Sequence, residues 1–305
     1  MGVEVQRNAV RAVLTDLDGS ELRRETVVGA HDTAESVFRG IAGAVDTLVG
    51  GRRQLLRSVV VGTPGIIDPA TGVLRNSGVV PALDGSSPAA ELAALIGAEA
   101  TVVNDVDLAA LGEQAVGGGR GVRHFAVVHI GEGLGAALVL NGQLYEGAHG
   151  GAGEIDDVPF RRLMRSTPSV SPALDGLVGL AEHHAPGFPD SLLRPPYAPD
   201  AVRGAAAQGD ALALVVLGQL AEWTSWFVEA IAAIVDPEVV VLAGPIGATE
   251  QLAAAVRTRL AEHAPNRPDI AVSLLGDESV LAGAIAVASE RALSRRLDDL
   301  QSRSA

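Results

Sequence analysis

Residues 102–121 read VVNDVDLAALGEQAVGGGRG, and residues 129–157 read HIGEGLGAALVLNGQLYEGAHGGAGEIDD; between them these two stretches decide the fold. In the first, the β-branched run 101–103 reads as a strand. Asn104-Asp105 then opens a helical run over 105–116, which stops at the glycines of 117–121. A strand that passes directly into a helix is the repeating unit of a mixed or parallel α/β sheet. In the second stretch, apolar runs at 124–130 and 135–140 flank a glycine turn. Asn141-Gly142, ahead of a short strand at 143–145, is a strong hairpin signal.

The same order of elements occurs upstream. Runs at 3–5, 9–15 and 26–28 make a first antiparallel meander, turned at Asp16-Leu17-Asp18-Gly19. A helix over 34–49 ends at Gly50-Gly51. A strand at 58–62 and a helix at 89–96 lead back to the strand at 101–103. Downstream, a helical, loop-rich region follows, in which His183-His184 beside Pro186 reads as a surface turn. A long helix near 210–235 carries Leu212, Val216, Leu220, Trp223, Phe227, Ile231 and Ile234 at helical spacing. A strand at 238–242, a helix at 250–263, a strand at 270–274 and a closing helix at 280–297 complete the chain. Three strands followed by alternating elements thus appear twice, with no sequence repeat at a fixed period.

Composition removes several kinds of chemistry. The 305 residues include no cysteine and no lysine, so all 23 positive charges are arginine. Cysteine nucleophiles, disulfides, iron–sulfur clusters and zinc ribbons are excluded. So are the P-loop lysine and a pyridoxal-phosphate Schiff base. A formal charge of −14 argues against direct nucleic-acid binding by this chain, and 3% aromatic content leaves few stacking platforms. The most apolar run, 211–235, is interrupted by Glu222 and Glu229, so no membrane span is expected. The opening residues contain no leader-like apolar core, and a cytoplasmic location is the expectation.

The two quoted stretches, together with VGTPGIIDPATGV (61–73) and VVLAGPIG (240–247), resemble the ROK family of sugar kinases and sugar-responsive repressors. The resemblance is collinear over nearly the whole chain. It implies an actin-like (ribonuclease H-like) α/β fold with two domains and an interdomain cleft. Residues 1–106 with the C-terminal helix 288–305 would form the smaller domain, and 107–287 the larger.

The resemblance also assigns roles. Asp105 matches the family's general base, a carboxylate able to accept a proton from a sugar hydroxyl. Read from the residues alone, the same aspartate is better explained as a helix N-cap, and it is the resemblance that assigns it to the site. Asn104 matches a sugar contact, Glu154 the sugar-hydroxyl-binding glutamate, and Asp157 stands where a sugar-contacting, zinc-ligating histidine is expected. Gly131, Gly133 and Gly135 match a phosphate loop, although a plain glycine hairpin gives the same pattern. Gly244 matches the adenosine-side loop, with Pro245 replacing a second glycine.

The departures fall on the chemistry. The first phosphate loop should occupy residues 4–8 but reads Glu-Val-Gln-Arg-Asn, without its glycines and hydroxyl. Glu132 replaces a threonine, and Val79 and Leu83 replace a sugar-side asparagine and tryptophan. The cysteine-rich zinc loop is absent, a short segment at 161–169 standing in its place, so no zinc or other metal site is expected. The opening GVEVQRNAVRAVLTDLDG resembles the repressor branch, without the helix-turn-helix that precedes the core there. These features lead to a regulatory domain that binds a sugar-like small molecule with little or no phosphotransfer, as a homodimer or homo-oligomer. The alternative is a divergent sugar kinase using Mg-ATP and Asp105.

Overall fold

A computed structural model of the chain describes residues 1–29, 31–157, 171–263 and 267–304. These residues divide into two compact units. The first comprises Met1–Arg120, Glu146–Ala152 and Glu278–Ala305, and the second Gly121–Tyr145 and Gly153–Asp277. The segment 161–169 lies outside the described residues.

In the first unit, β1 (Gly2–Gln6), β2 (Ala9–Thr15) and β3 (Glu21–Val28) form the antiparallel meander, and β4 (Val59–Thr63) and β7 (Ala100–Asn104) extend it in parallel. The sheet order is β3-β2-β1-β4-β7, beside a small ribbon of β5 (Ile66–Ile67) and β6 (Leu74–Arg75). Alternation along β1 and β2 sends Val3, Val5, Val10 and Ala12 to one face. There they meet Val37, Phe38, Ile41 and Val45 of α1 (Ala34–Val49). Thr33 and Ser36 form a reciprocal capping box at the start of α1, and Gly50 closes it in the left-handed conformation. Helix α2 (Pro88–Ile96) adds Leu92 and Ile96 to the same core.

The opposite face of this sheet carries α3 (Asp105–Val116) and the long closing helix. In that layer Val60, Leu108 and Ala109 pack against Val280, Ala284 and Ala288. The contact is close enough to require glycine on both sides. A Cβ on Gly283 would lie 1.8 Å from the Leu108 carbonyl oxygen, and one on Gly112 would lie 2.4 Å from that of Ser279.

The second unit repeats the topology. Strands β8 (Phe125–Ile130), β9 (Leu134–Leu140) and β10 (Gln143–Leu144) run antiparallel, and β11 (Val239–Ala243) and β12 (Asp269–Val272) add in parallel. Their order is β10-β9-β8-β11-β12. This unit also holds α4 (Leu174–His184), α5 (Pro199–Ala207), α6 (Ala211–Val235), the turn α7 (Gly244–Gly247) and α8 (Glu250–His263). Helix α6 is long and apolar enough to cross a membrane, but Leu212, Val216, Leu220, Trp223, Phe227 and Ile231 are buried in the core of this unit.

Most sequence-expected elements are found within a residue or two. The closing helix α9 (Ser279–Ser304) is longer at its C-terminal end than the pattern indicated. His183 and His184 are not in a loop: they form the last turn of α4.

Candidate functional site

At the C-terminal end of β7, Asn104 is the N-cap of α3, and Asp105 is the first helical residue. The capping function considered for Asp105 therefore belongs to its neighbour. Asn104 Oδ1 accepts from the Val106 and Asp107 amides at 2.8 and 3.1 Å, while Nδ2 donates to the Gly65 carbonyl at 3.0 Å. That leaves the Asn104 side chain one N–H beyond its structural bonds. Asp105 is half-buried, with Oδ1 accepting from the Val106 amide at 2.9 Å.

Beside it lies a charged cluster built on the first hairpin. Glu4 of β1 and Arg11 of β2 are direct cross-strand partners. Arg11 Nη1 donates to Glu4 Oε2 at 3.0 Å, and Gln6 Nε2 donates to Oε1 at 3.2 Å. Arg11 also pairs with Glu278, just ahead of α9, and Glu278 in turn receives Arg24 at 2.7 Å. Glu4 is only 8% exposed. Burial, reinforced by the negative charges of Asp105 and Glu278, pushes its carboxyl up to about 7 despite Arg11 and Gln6.

This hairpin is where the resemblance placed the first phosphate loop. The turn closes on Arg7-Asn8 with neither residue in the left-handed region. The Gln6 carbonyl meets His31 Nδ1 at 2.9 Å, and the Asn8 carbonyl accepts from the Gly29 amide at 3.1 Å. With its carboxylate paired and no glycine to admit an anion close to the backbone, the hairpin does not fit a nucleoside triphosphate. On the sugar-side loop, Leu83 is buried and Val79 partly buried against the core of the first unit.

The remaining expected residues belong to the second unit. Gly131 and Gly244 come together around His129. A Cβ on Gly131 would lie 3.2 Å from both the His129 ring and Pro245 Cδ. Gly244 has φ +82°, and a Cβ there would lie 2.6 Å from the Ile130 carbonyl oxygen. Packing alone therefore accounts for glycine at 244. Gly131 and Gly133 close the β8–β9 turn through a 3.0 Å backbone bond, and Gly135 pairs with His129 inside the ladder.

Glu154 is half-buried and follows a backbone anchor. Gly153 has φ +90°, its carbonyl accepts from the Ala136 amide at 2.8 Å, and a Cβ there would lie 1.9 Å from the Ala136 oxygen. Asp157 ends a short 3-10 turn, Ile155–Asp157, and its side chain lies outside the described ones. Among the described residues no group of three or more His, Asp or Glu side chains is arranged to hold a metal ion.

Glu4, Arg11 and Glu278 were not identified from the sequence as site residues. A two-residue turn at Arg7-Asn8 does set Glu4 opposite Arg11 by register arithmetic, so that pair was within reach. Glu278 was not, because only the return of α9 brings it there.

The sequence profile of the ROK family matches residues 1–166 and 195–291. The chain is 33% identical over 195 residues to the bifunctional enzyme NanE/NanK of Brucella suis, covering 63% of this chain but only 35% of that protein. It thus spans about a third of the length of that relative. It is 26% identical to the glucokinase of Thermotoga maritima, covering 95% of this chain and 97% of the enzyme. Among solved structures, a ROK family glucokinase from Streptomyces griseus in complex with glucose and AMPPNP superposes with TM-score 0.82 at 21% identity, covering 95% and 98% of the two chains. A ROK family transcriptional regulator, a homolog of the E. coli MLC protein, gives TM-score 0.78 at 19% identity, covering 95% and 78%. The fold shared with these structures is the actin-like ATPase fold.

Proposed function

Because the chain belongs to the ROK family, we propose that it is a kinase-like regulatory domain that binds a sugar or sugar-like small molecule with little or no phosphotransfer. The observation that carries this reading is the Glu4–Arg11–Glu278 cluster, which occupies the hairpin where a kinase would admit phosphate. In this reading Asp105 and Glu154 accept hydrogen bonds from ligand hydroxyls. Asn104 fixes the turn that presents Asp105 and offers its remaining N–H, and Asp157 adds a further acceptor. Ligand binding then biases a homodimer or a partner contact by favouring one conformation over another.

A second reading has one observation in its favour: the glycine turn between β8 and β9, closed by Gly131 and Gly133, stands where the resemblance places a phosphate loop. In that reading the protein is a divergent sugar kinase, with Asp105 deprotonating the acceptor hydroxyl. Gly131, Gly133, Gly135 and Gly244 would lie along Mg-ATP, which supplies the phosphoryl group when bound.

The purified protein, incubated with Mg-ATP and a panel of hexoses, hexosamines and N-acylated amino sugars, separates the two. Sugar-dependent thermal stabilisation without turnover supports the regulatory domain, since a ligand that binds the native state raises its apparent stability. Turnover that disappears in Asp105→Ala overturns it in favour of the kinase. No response to sugar or nucleotide rejects both.

A further inference from the structure

The first unit contains a cavity of about 560 Å³ at the end of its sheet opposite Asn104 and Asp105. Met1 and Ser58, which line it, precede β1 and β4, whereas Asn104 ends the parallel neighbour β7. Its floor is aliphatic, with Leu14, Leu48, Leu56 and Ala292 among the lining residues. Arg23, Arg52, Arg57 and Arg296 also line it, against a single carboxylate, Asp16.

All four arginines are exposed. Three of them stand beside engaged arginines in sequence: Arg24 holds Glu21 and Glu278, Arg53 holds Asp46, and Arg295 holds Glu99. Among the described residues, Arg23, Arg52, Arg57 and Arg296 have neither an ion pair nor a hydrogen bond to their guanidinium groups. Acidic residues outnumber arginines 37 to 23 in this chain, so four exposed arginines without a carboxylate partner gathered around one cavity run against its composition. Asp16 offsets one of the four positive charges, its Oδ1 held by the Asp18 and Ser20 amides at 3.0 and 2.9 Å.

A concave site of this volume, apolar at its base and ringed by a few directed polar groups, has the form of a small-molecule pocket. The charge excess of three suits a doubly or triply charged head, and guanidinium forks match phosphate oxygens in geometry. We propose that this cavity is a second ligand site, separate from the sugar site, for an amphiphilic organic phosphate: a phosphate monoester carrying an aliphatic body. The phosphate lies among Arg52, Arg57, Arg23 and Arg296, and the aliphatic part rests on Leu14, Leu48 and Ala292. Helix α9 joins this site to the other end of the unit, since Glu278 precedes it and Ala292 and Arg296 lie on it. The proposal does not depend on whether the protein turns over sugar.

Octyl phosphate below its micelle-forming concentration is the probe, with butyl phosphate, inorganic phosphate and octanol as comparisons. Binding is followed calorimetrically and by thermal shift on the intact protein. Octyl phosphate should bind more tightly than butyl phosphate, and both more tightly than inorganic phosphate or octanol. The exposed-surface double variant R52Q/R296Q, whose fold is checked by circular dichroism, should bind octyl phosphate at least about tenfold more weakly. Ala292→Phe should weaken the octyl ester more than inorganic phosphate. Unchanged affinity in R52Q/R296Q, equal binding of octanol, or no binding at millimolar octyl phosphate would each overturn the assignment. So would binding of duplex DNA in place of the ester, which would make the arginines a nucleic-acid patch.

Discussion

Glu4 and Arg11 face one another across the β1–β2 hairpin, the guanidinium donating to the carboxylate at 3.0 Å from positions nearly closed to solvent. The pair is held between opposing effects. Burial and the nearby charges of Asp105 and Glu278 favour the protonated carboxyl, and Arg11 favours the ionised one. Burial prevails, and Glu4 titrates near neutrality.

That balance predicts a pH dependence. A carboxyl raised from 4.5 to about 7 in the folded state stabilises the fold below the unfolded value, and the contribution is lost as pH rises through the folded one. Glu4→Gln removes the titration. Relative to the wild type, the variant should gain on the order of 3 kcal/mol between about pH 4 and about pH 8. Urea unfolding of both proteins at several pH values measures the gap. Parallel profiles would show that Glu4 is not perturbed in the folded protein.

Gly283→Ala tests the glycine contact between α3 and α9. The new Cβ would collide with the Leu108 carbonyl, so backbone must move, and a loss of about 1–3 kcal/mol or more is expected. Gly43→Ala on the exposed face of α1 meets nothing within 4 Å and should instead stabilise by about 0.5–1 kcal/mol. Thermal melts of the two variants should therefore shift in opposite directions.

Asn104→Ala should cost about 1–2 kcal/mol through loss of the α3 cap. Asn104→Ser keeps a capping oxygen but, like alanine, loses the donor to Gly65. Serine should recover part of the deficit in equilibrium unfolding. Equal losses would place the effect in the Gly65 bond rather than in the cap.

Gly153→Ala should displace the backbone that carries Glu154, because its φ and the 1.9 Å approach to Ala136 admit no side chain. If the sugar-binding reading is right, stabilisation by the best ligand of the panel should fall by at least about tenfold in apparent affinity while the folded spectrum is kept. Undiminished ligand response would remove Glu154 from the site.

Local signals made much of this protein legible without coordinates. Hydrophobic period, Asn141-Gly142, Gly50-Gly51 and the strand-to-helix step at Asn104 place the elements, because each depends on neighbours a few residues away. The order of those elements also carries the doubled sheet topology, while the resemblance to the ROK family rests on the motifs at 61–73, 102–121, 129–157 and 240–247 in collinear order. Asn104, Asp105, Glu154 and the glycines of the second unit could be nominated because they sit in those same turns. Tertiary structure decided what the charges do. Nothing near Glu4 in sequence reveals that Glu278 shares Arg11 with it, since that contact spans 267 residues and exists only because α9 packs back across the first sheet. The same return of α9 brings Arg296 beside Arg23, Arg52 and Arg57 around one cavity. Burial and charge proximity are properties of the assembled fold, so titration of Glu4 and convergence of four arginines could be read only there.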